Sequence, residues 1–328
     1  MFKFRFIRLV VLALAVSLFA AACASRNLSS QSQPLRVGTI PWAGYSGHYV
    51  AWSKGLYDRA GIKVQEVALP SITDEVAAFL AGKIDLAWIP SGSAMDIYAK
   101  DPSSRIIFLV DYSNGSDGIV GRNMKNSADL KGKAIAREDV LFEKVLLRAF
   151  LKQNGLTEKD VVIKDLTAPD AAKAFIAKQV DVAVTFEPSL TKAAKEGGGE
   201  IVFTTENTNL IADVIVAREG LIQERKADCL SYLRAIDSAV KLVKANDVEA
   251  LKIVAERVST TLEGVKDQLK GITLFDIEGN KSIAFTAEHP RNLIGHLELT
   301  VTAAQDFNIV PKSVKVESVY SNTLVKAL

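Results

Sequence analysis

The sequence predicts an α/β protein with two lobes and a cleft between them. Three observations support this fold class: strand and helix patterns alternate over residues 35–221, a ten-residue segment recurs 96 residues later, and two turn-rich segments could carry the chain between lobes. The 328 residues suit about two domains of ordinary size. With 48% hydrophobic residues, and 40 basic against 38 acidic ones, the composition excludes a disordered chain and a strongly basic nucleic-acid-binding protein.

The N-terminus is predicted to be an export signal. The first eight residues carry three basic side chains and no acid, and residues 9–22 form an uncharged apolar run. This run is shorter than the roughly 20 residues that a membrane-spanning helix needs, and the pattern is typical of a secretory signal peptide over residues 1–22. Without that segment, 37 basic residues face 38 acidic ones, so the net charge is near −1.

Cys23 is the predicted lipidation site. It follows Ala20 to Ala22, a run of small residues that resembles a bacterial lipobox, although Ala20 stands where that motif usually has Leu. A plain cleaved signal and an uncleaved anchor are the alternatives. Residues 23–34 then form a polar, flexible tether. Cys229 has no partner for a disulfide and is predicted to be a buried structural thiol on a helix.

Alternating strands and helices follow, as in parallel sheets covered by helices. The predicted strands are Leu35–Ile40, Ile62–Val67, Ile84–Ile89, Arg105–Val110, Gly118–Val120, Lys133–Ala136, Val161–Lys164, Val180–Thr185, Ile201–Thr204 and Val214–Ala217. The predicted helices are Gly47–Lys54, Ile72–Ala81, Ser93–Lys100, Glu143–Asn154, Ala168–Ala177 and Ser189–Glu196. Beyond Leu221 the pattern is almost wholly helical to about Val310, with breaks near Asp247, Ser259 and Gly271.

An internal repeat indicates that the two lobes are similar. Residues 78–87 recur as residues 174–183, and each copy resembles a helix end, a tight turn and a strand. Convergence on a favourable turn is the alternative explanation. Asp85 and Asp181 occupy the same place in the two copies and are predicted to form these turns. A separation near the size of one domain favours two similar α/β domains.

Two turn-rich segments are the predicted crossovers between the lobes. Residues 111–118 and 207–213 each adjoin a strand. The predicted organisation is therefore residues 35–110 in lobe 1, 118–206 in lobe 2, and 214–328 in lobe 1 again, the last part mostly helical. Paired crossing strands form a hinge, because hinge motion is absorbed at the ends of such elements.

Several short motifs carry a family resemblance. They are Pro41–Tyr45, Gly55–Tyr57 with Gly61-Ile62, Gly82–Asp85, Asp111–Asp117, Ala128–Lys133, Phe186–Pro188 and Ala212–Val214. In this order and spacing the chain resembles the periplasmic solute-binding proteins of ABC importers, type 2 fold, in the group that binds nitrate, sulfonates, taurine and thiamine-pyrimidine precursors. The resemblance implies a monomer that captures a small solute for a permease and its ATPase, outside the cytoplasm and anchored to a bacterial membrane.

The predicted ligand-binding residues follow the carboxyl ends of strands or lie on the crossovers, where α/β folds bind their ligands. They are Trp42, Gly44, Tyr45, Trp88, Ser91, Asp111, Asp117, Glu138, Phe142, Phe186, Glu187 and Asp213. The aromatic residues would form flat apolar walls, or plug the core instead. Gly44 precedes a helix whose free N–H groups favour an anionic group, and Ser91 would act there or as a simple cap.

The acids decide which solute the cleft favours. Five acidic residues fall on these segments against a single basic one, Arg137, so the cleft favours a cation, an amine donor or a zwitterion over a bare anion such as nitrate. Glu187 is the first choice for direct ligand contact, while capping of the hinge is the alternative role of Asp111 and Asp213. His48 is expected on a helix surface. With three histidines and two cysteines, we predict no metal site and no cofactor.

Three functional classes remain open. A solute-binding lipoprotein for a taurine-like, sulfonate-like or amine-bearing solute is the favoured one, with a thiamine-precursor pyrimidine, nitrate or bicarbonate as alternative ligands. A pyrimidine-synthesis-like enzyme of the same fold is the second class, which an export signal opposes because such pathways are cytoplasmic. No nucleophile motif, P-loop or dinucleotide fingerprint occurs in the sequence. A sensory lipoprotein that feeds no permease is the third class.

Overall fold

The computed structural model describes residues 33–124 and 127–328. The predicted signal peptide and Cys23 lie outside the described residues. Residues 35–328 form one compact unit. Within it, the strands are β1 Leu35–Thr39, β2 Val64–Ala68, β3 Leu86–Pro90, β4 Ser104–Ser113, β5 Asp117–Gly121, β6 Ala134–Arg137, β7 Val162–Asp165, β8 Val182–Phe186, β9 Glu200–Thr204, β10 Ala212–Arg218 and β11 Ile272–Leu274.

The described strands form two sheets. One has six strands in the order β11-β4-β10-β3-β1-β2, and the other has five in the order β7-β6-β8-β5-β9. We call each sheet with its connecting helices a lobe: the six-stranded sheet belongs to lobe 1 and the five-stranded sheet to lobe 2. Both sheets are mixed. In the first, β1 is parallel to β2 and β3 while β10 is antiparallel to β3; in the second, β6 is parallel to β7 and β8 while β5 is antiparallel to β8. The mixed α/β fold with two lobes is confirmed; the exact domain borders stay a prediction.

Helices connect the strands and cover the sheets. In lobe 1 they begin with α1 Ser46–Ser53, α2 Leu56–Arg59, α3 Ile72–Leu80 and α4 Ser91–Lys100. Lobe 2 contains α5 Leu141–Gln153, α6 Ala168–Ile176 and α7 Ser189–Gly197. The chain then returns to lobe 1 with α8 Glu219–Glu224, α9 Lys226–Lys244, α10 Val248–Arg257, α11 Leu262–Lys270, α12 Ile277–Gly279 and α13 Leu293–Asp306. In the described part of the chain, none of the helices combines the length and the apolar character needed to cross a membrane.

The predicted elements up to residue 218 are all present within a few residues of their predicted ends. The predicted break near Gly271 is present, since α11 ends at Lys270, but the sequence did not predict that residues 272–274 form the short strand β11 on the edge of the six-stranded sheet. A run of three apolar or β-branched residues is too short to show a strand periodicity. This strand forms because it can pair with the edge of β4. Cys229 is buried on α9, as predicted for a structural thiol.

The repeated segment has the same conformation in both lobes. Gly82 and Lys178 both have a left-handed backbone, with φ of 66° and 60°. The carboxylate of Asp85 accepts the backbone N–H of Arg36 at 2.9 Å, and Asp181 accepts that of Ala134 at 3.2 Å. Each Asp therefore ties the helix–strand corner to a neighbouring strand of its own sheet, β1 for Asp85 and β6 for Asp181, which agrees with the predicted turn-forming role.

Hydrogen bonds cross-link the two connections between the lobes. The hydroxyls of Ser113 and Thr205 are 2.7 Å apart, and the amide of Asn207 donates to the side chain of Asn114 at 2.7 Å. Both connections thus run side by side between the sheets. This arrangement places the end of β4 and the start of β5 and β10 at one point between the lobes.

Candidate functional site

Three buried carboxyl groups come together where the chain passes between the lobes. Asp213 at the start of β10 pairs in register with Asp111 on β4, and Asp117 begins β5 just beyond the tight turn. Asp111 is fully buried, and Asp117 and Asp213 are 4% and 3% exposed. We call these three residues the carboxylate cluster.

Lobe 1 supplies the hydrogen-bond partners of the cluster. The indole nitrogen Nε1 of Trp42 donates to Oδ2 of Asp111 at 3.3 Å, and the hydroxyl of Tyr45 donates to Oδ1 of Asp213 at 3.5 Å. Gly44 permits this approach, because a Cβ there would lie 2.1 Å from Asp111 Oδ2. The second oxygen of Asp111, Oδ1, is buried and has no hydrogen-bond partner among the described residues.

Burial and mutual repulsion favour the neutral forms of these acids. Burial is the main cause that raises the pKa of Asp111 to about 8 and that of Asp117 to about 7. The pKa of Asp213 is raised well above its usual range by burial and by the negative charge of Asp111 and Asp117. Because Asp111 and Asp213 are buried side by side and repel each other when both are charged, the neutral form of at least one of them is favoured near neutral pH.

A small cavity of about 10 Å³ lies beside the cluster, between the lobes. It is lined by Ile40, Trp42, Tyr45, Ile72, Pro90, Asp117, Phe142, Phe186, Ile211 and Asp213. Trp42 of lobe 1 meets Phe186 of lobe 2 edge to face, with ring centroids 5.7 Å apart. The volume is that of about one water molecule, so an organic solute can enter only if the lobes separate or these rings move.

Eight of the predicted ligand-binding residues therefore gather in one place. Six of them line the cavity, namely Trp42, Tyr45, Asp117, Phe142, Phe186 and Asp213. Asp111 and Gly44 adjoin it through their contacts with Trp42 and with each other. Both lobes contribute to the set, because Asp117, Phe142 and Phe186 belong to lobe 2.

The structure places the other four predicted residues elsewhere. Trp88 donates from its indole to Tyr232 of α9 at 2.8 Å, and its ring packs behind Tyr45, with centroids 5.5 Å apart, without lining the cavity. The hydroxyl of Ser91 contacts His296 at 2.8 Å beside a separate cavity of about 100 Å³. Glu187 caps its own helix through the amide and hydroxyl of Thr191 and faces an open groove.

Glu138 is the fourth of these residues, and both oxygens of its carboxylate accept hydrogen bonds from other parts of the protein. One oxygen accepts from Thr73 and the other from Ala168. It is 2% exposed and does not line the cavity between the lobes. Like Trp88, Ser91 and Glu187, it holds contacts within the protein, so none of these four points at the carboxylate cluster.

The sequence analysis missed two buried acids near the site. Glu75 accepts the amide of Trp88 at 2.9 Å, and Glu143 accepts the amide of Glu138; each keeps one buried oxygen without a partner in the described structure. Burial raises the pKa of both carboxyls well above the usual range. Both acids could have been found from the sequence, because each lies on the apolar face of its helix. Glu143, for example, lies one turn before the buried Leu147.

The prediction for His48 was wrong. It is fully buried, and its Nδ1 lies 2.9 Å from the hydroxyl of Tyr57 and 3.2 Å from that of Tyr232. Burial lowers its pKa to about 3, so the ring is neutral. The helix α1 packs between the sheet and α9, and therefore has no solvent face at this position. In the described chain, no group of three or more His, Cys, Asp or Glu side chains is arranged to hold a metal ion.

Comparison with known proteins identifies the family. A family model described as the NMT1-like family matches residues 29–259, which is more than half of the chain. This protein belongs to the NMT1-like family. The family assignment covers every residue of the carboxylate cluster and both sheets except β11.

Curated relatives of this NMT1-like protein have related names. A protein of Brucella abortus (strain 2308) named as a binding protein is 25% identical over 244 residues, covering 72% of this chain and 75% of the relative. A protein of Haemophilus influenzae named as a thiamine biosynthesis protein is 26% identical over 255 residues, covering 74% and 76%. The names thus point to binding proteins and to thiamine metabolism.

Solved structures share the fold. The periplasmic aliphatic sulphonate binding protein SsuA from Escherichia coli superposes with a TM-score of 0.70 at 21% identity, covering 88% of this chain and 92% of that one. The periplasmic nitrate-binding protein NrtA from Synechocystis PCC 6803 gives 0.70 at 16% identity, covering 90% and 87%. A desulfurization enzyme, DSZB, gives 0.64 at 15% identity, covering 90% and 98%. The fold is therefore that of periplasmic binding proteins, which an enzyme also uses.

Proposed function

We propose that this protein is an extracytoplasmic solute-binding protein that captures a small organic solute through an amine or another cationic nitrogen group. The carboxylate cluster is the observation that carries the proposal. The three buried acids, one of which has an oxygen without a partner in the described structure, offer hydrogen-bond acceptors and become negatively charged when they lose their protons. Arg137 does not balance this charge, because it binds Asp139 and Asp165 and does not line the cavity. A cationic or N–H-rich group satisfies such acceptors; a bare anion is repelled.

The cavity walls favour a flat or compact body on that solute. Trp42, Phe142 and Phe186 border the cavity from both lobes. An aromatic wall beside a carboxylate suits an amine-bearing ring such as an aminopyrimidine, whose amino group donates to Asp111 or Asp213 while its ring packs against Trp42. The name of the Haemophilus influenzae relative agrees with this chemistry, whereas the names of SsuA and NrtA refer to anions.

Capture follows from movement of the lobes about their two connections. An open form admits the solute to the cluster, and closure buries it between Trp42 of lobe 1 and Phe186 of lobe 2. Solute that binds the closed form more tightly shifts the population toward it. A membrane permease with its ATPase would then recognise the closed form and take up its solute, and lipid on Cys23 would keep the protein at the membrane. We propose binding and no catalysis, which the names of the binding proteins among its relatives support.

A thermal-shift screen tests the proposed solute class. The screen is run at a pH of about 8, which is near the pKa of Asp111 and above that of Asp117. The panel contains an aminopyrimidine, choline, taurine, methanesulfonate and nitrate. Amine-bearing compounds should raise the melting temperature because they bind the folded state. Methanesulfonate and nitrate should not.

A matched pair of variants locates the effect. Asp213→Asn should abolish most of the shift given by amine-bearing compounds. Glu263→Gln removes an exposed carboxylate of α11 that does not line the cavity, and should leave the shift unchanged. Stabilisation by nitrate or methanesulfonate, with none from any amine-bearing compound, would contradict the proposal.

A further inference from the structure

Glu138 joins the N-termini of two helices that belong to different lobes. It follows β6 in lobe 2. One carboxylate oxygen accepts the backbone N–H and the hydroxyl of Thr73, at the start of α3 in lobe 1, both at 2.6 Å. The other oxygen accepts the backbone N–H of Ala168, at the start of α6 in lobe 2, at 3.1 Å. Free N–H groups and the helix dipole make both ends favourable for a carboxylate.

The two helices are counterparts in the internal repeat. Ser71 caps α3 by accepting the amide of Asp74, and Thr167 caps α6 by accepting the amide of Asp170. Both pairs are 96 residues apart, as in the repeated segment. Glu138 therefore bridges equivalent points of the two lobes with a single buried carboxylate.

Asp96 makes the reverse contact. It lies on α4 of lobe 1, and its carboxylate accepts the backbone N–H of Leu141, the first residue of α5 in lobe 2, at 3.1 Å. The backbones of these two helices also touch: a Cβ on Gly92 of α4 would lie 2.7 Å from the amide nitrogen of Phe142. Each lobe thus sends one carboxylate to a helix N-terminus of the other.

We infer that Glu138 and Asp96 are a reciprocal pair of latches, which hold the lobes together and set how readily the cleft opens. Neither residue lines the cavity. The latches therefore stabilise the closed arrangement whatever solute is bound, and weakening them lowers the closed population without altering a wall of the site. Apparent affinity falls in proportion to that population. This inference rests on contacts between the lobes and not on the proposed solute.

Amide hydrogen exchange tests the latches on the full-length protein without any added solute. In Glu138→Ala the amide of Thr73 loses its acceptor and should exchange faster. If the latches act together, the amide of Leu141, whose acceptor is Asp96, should also exchange about tenfold faster or more. Because Leu141 follows Glu138 by only three residues, the decisive readout is the reverse one: Asp96→Asn should speed exchange at Thr73, which lies on another helix.

Two further variants separate opening from local loss of a hydrogen bond. Gly92→Ala removes no charge but forces the helices apart, so exchange at Thr73 and Leu141 and the radius of gyration from X-ray scattering should all increase. Glu249→Ala removes a carboxylate whose ion pair with Lys252 stays within α10, and should change neither amide.

The inference is overturned if Glu138→Ala accelerates exchange at Thr73 alone while Leu141 and the scattering profile stay as in the unaltered protein. Glu138 would then be a local cap. If Gly92→Ala does not fold, the cross-lobe exchange in Glu138→Ala and Asp96→Asn still decides the question, because each variant is read at the other latch.

Discussion

The two lobes are built on the same plan, and they differ at the point where the chain gathers its acids. Five strands match in order and direction: β4-β10-β3-β1-β2 in lobe 1 corresponds to β9-β5-β8-β6-β7 in lobe 2. Asp213 pairs with Pro90 in lobe 1 and Asp117 pairs with Phe186 in lobe 2, so these two acids are structural counterparts. Each lobe supplies one carboxyl from the same place.

The third acid breaks this equivalence. Asp111 pairs with Asp213 on the neighbouring strand, whereas the amide of Thr205 occupies the corresponding place beside Asp117. Thr205 uses its hydroxyl to hold the connection between the lobes, and Asp111 has an unpartnered oxygen. The duplicated fold therefore accounts for two of the acids, and Asp111 adds the carboxyl group that distinguishes this site.

The equivalence extends to the ends of the helices. Arg218 is the last residue of β10 and lies over the ring of Phe79 at 4.2 Å, and Arg122 directly follows β5 and lies over that of Phe175 at 3.8 Å. Each guanidinium also donates to the carbonyl of the phenylalanine it covers. Both rings are fully buried. This shared packing stabilises the corner from which each repeated strand begins.

The largest expected effect comes from removing these counterparts. Phe79→Ala and Phe175→Ala should each lower the free energy of unfolding by about 3–5 kcal/mol, because each leaves a cavity under an arginine. Thermal unfolding measures both variants. Leu299→Ala, at a position that is 73% exposed, should change stability by less than about 0.5 kcal/mol. A cost at one phenylalanine and none at the other would contradict the equivalence of the lobes.

Asp111→Thr gives lobe 1 the residue that lobe 2 has at the matching place. The variant should bind an aminopyrimidine about ten- to a hundredfold more weakly, since it loses one charged hydrogen-bond acceptor. Isothermal titration calorimetry gives the affinity. Thr205→Ser keeps the hydroxyl of lobe 2 and should bind as the unaltered protein does; equal affinity in Asp111→Thr would remove Asp111 from the site.

The pH dependence of stability is the next effect. Burial raises the pKa of Asp111 to about 8 and of Asp117 to about 7, above the value of about 3.9 in an unfolded chain. Between these values the folded protein binds more protons than the unfolded chain, so the contribution of these groups to stability falls as pH rises from about 4 to about 8. The melting temperature of Asp111→Thr should fall less steeply over this range than that of the unaltered protein. Parallel curves would show that the raised pKa of Asp111 is wrong.

The smallest effect separates the two turn-forming aspartates. Asp85 binds Arg36 through its backbone N–H and its guanidinium, with a closest distance of 2.6 Å, whereas Asp181 lies 3.7 Å from Lys133, and both partners of that pair are half exposed. Asp85→Ala should cost about 1–2 kcal/mol and Asp181→Ala about 0.5 kcal/mol. Chemical denaturation measures the difference, and the reverse order would contradict it.

The sequence predicted most of the fold because strand runs and helical periodicity are local signals. The repeat at residues 78–87 and 174–183 revealed the similarity of the lobes, and eight of twelve predicted ligand residues meet at one point. Local patterns do not say which face of an element turns inward. Trp88 lies two residues before the end of β3 and faces α9, whereas Phe186 is the last residue of β8 and lines the cavity.

Contacts between lobes were equally beyond a single-sequence prediction. Glu138 has the position of a ligand residue, just after a strand, but Thr73 of the other lobe occupies it. His48 is buried because α9, far along the chain, covers its helix. Both depend on tertiary packing, which no spacing of residues encodes.

Proton release on solute binding decides whether the carboxylate cluster binds a cationic nitrogen group. Titration of choline, which is cationic at every pH, in buffers with different heats of ionisation at a pH of about 7 measures the protons exchanged on binding. A cation favours the ionised form of the acids, so acids that hold protons in the free protein should release them to the buffer on binding, and Asp111→Thr should reduce the release. Binding without proton release, or release that is unchanged in Asp111→Thr, would contradict the account.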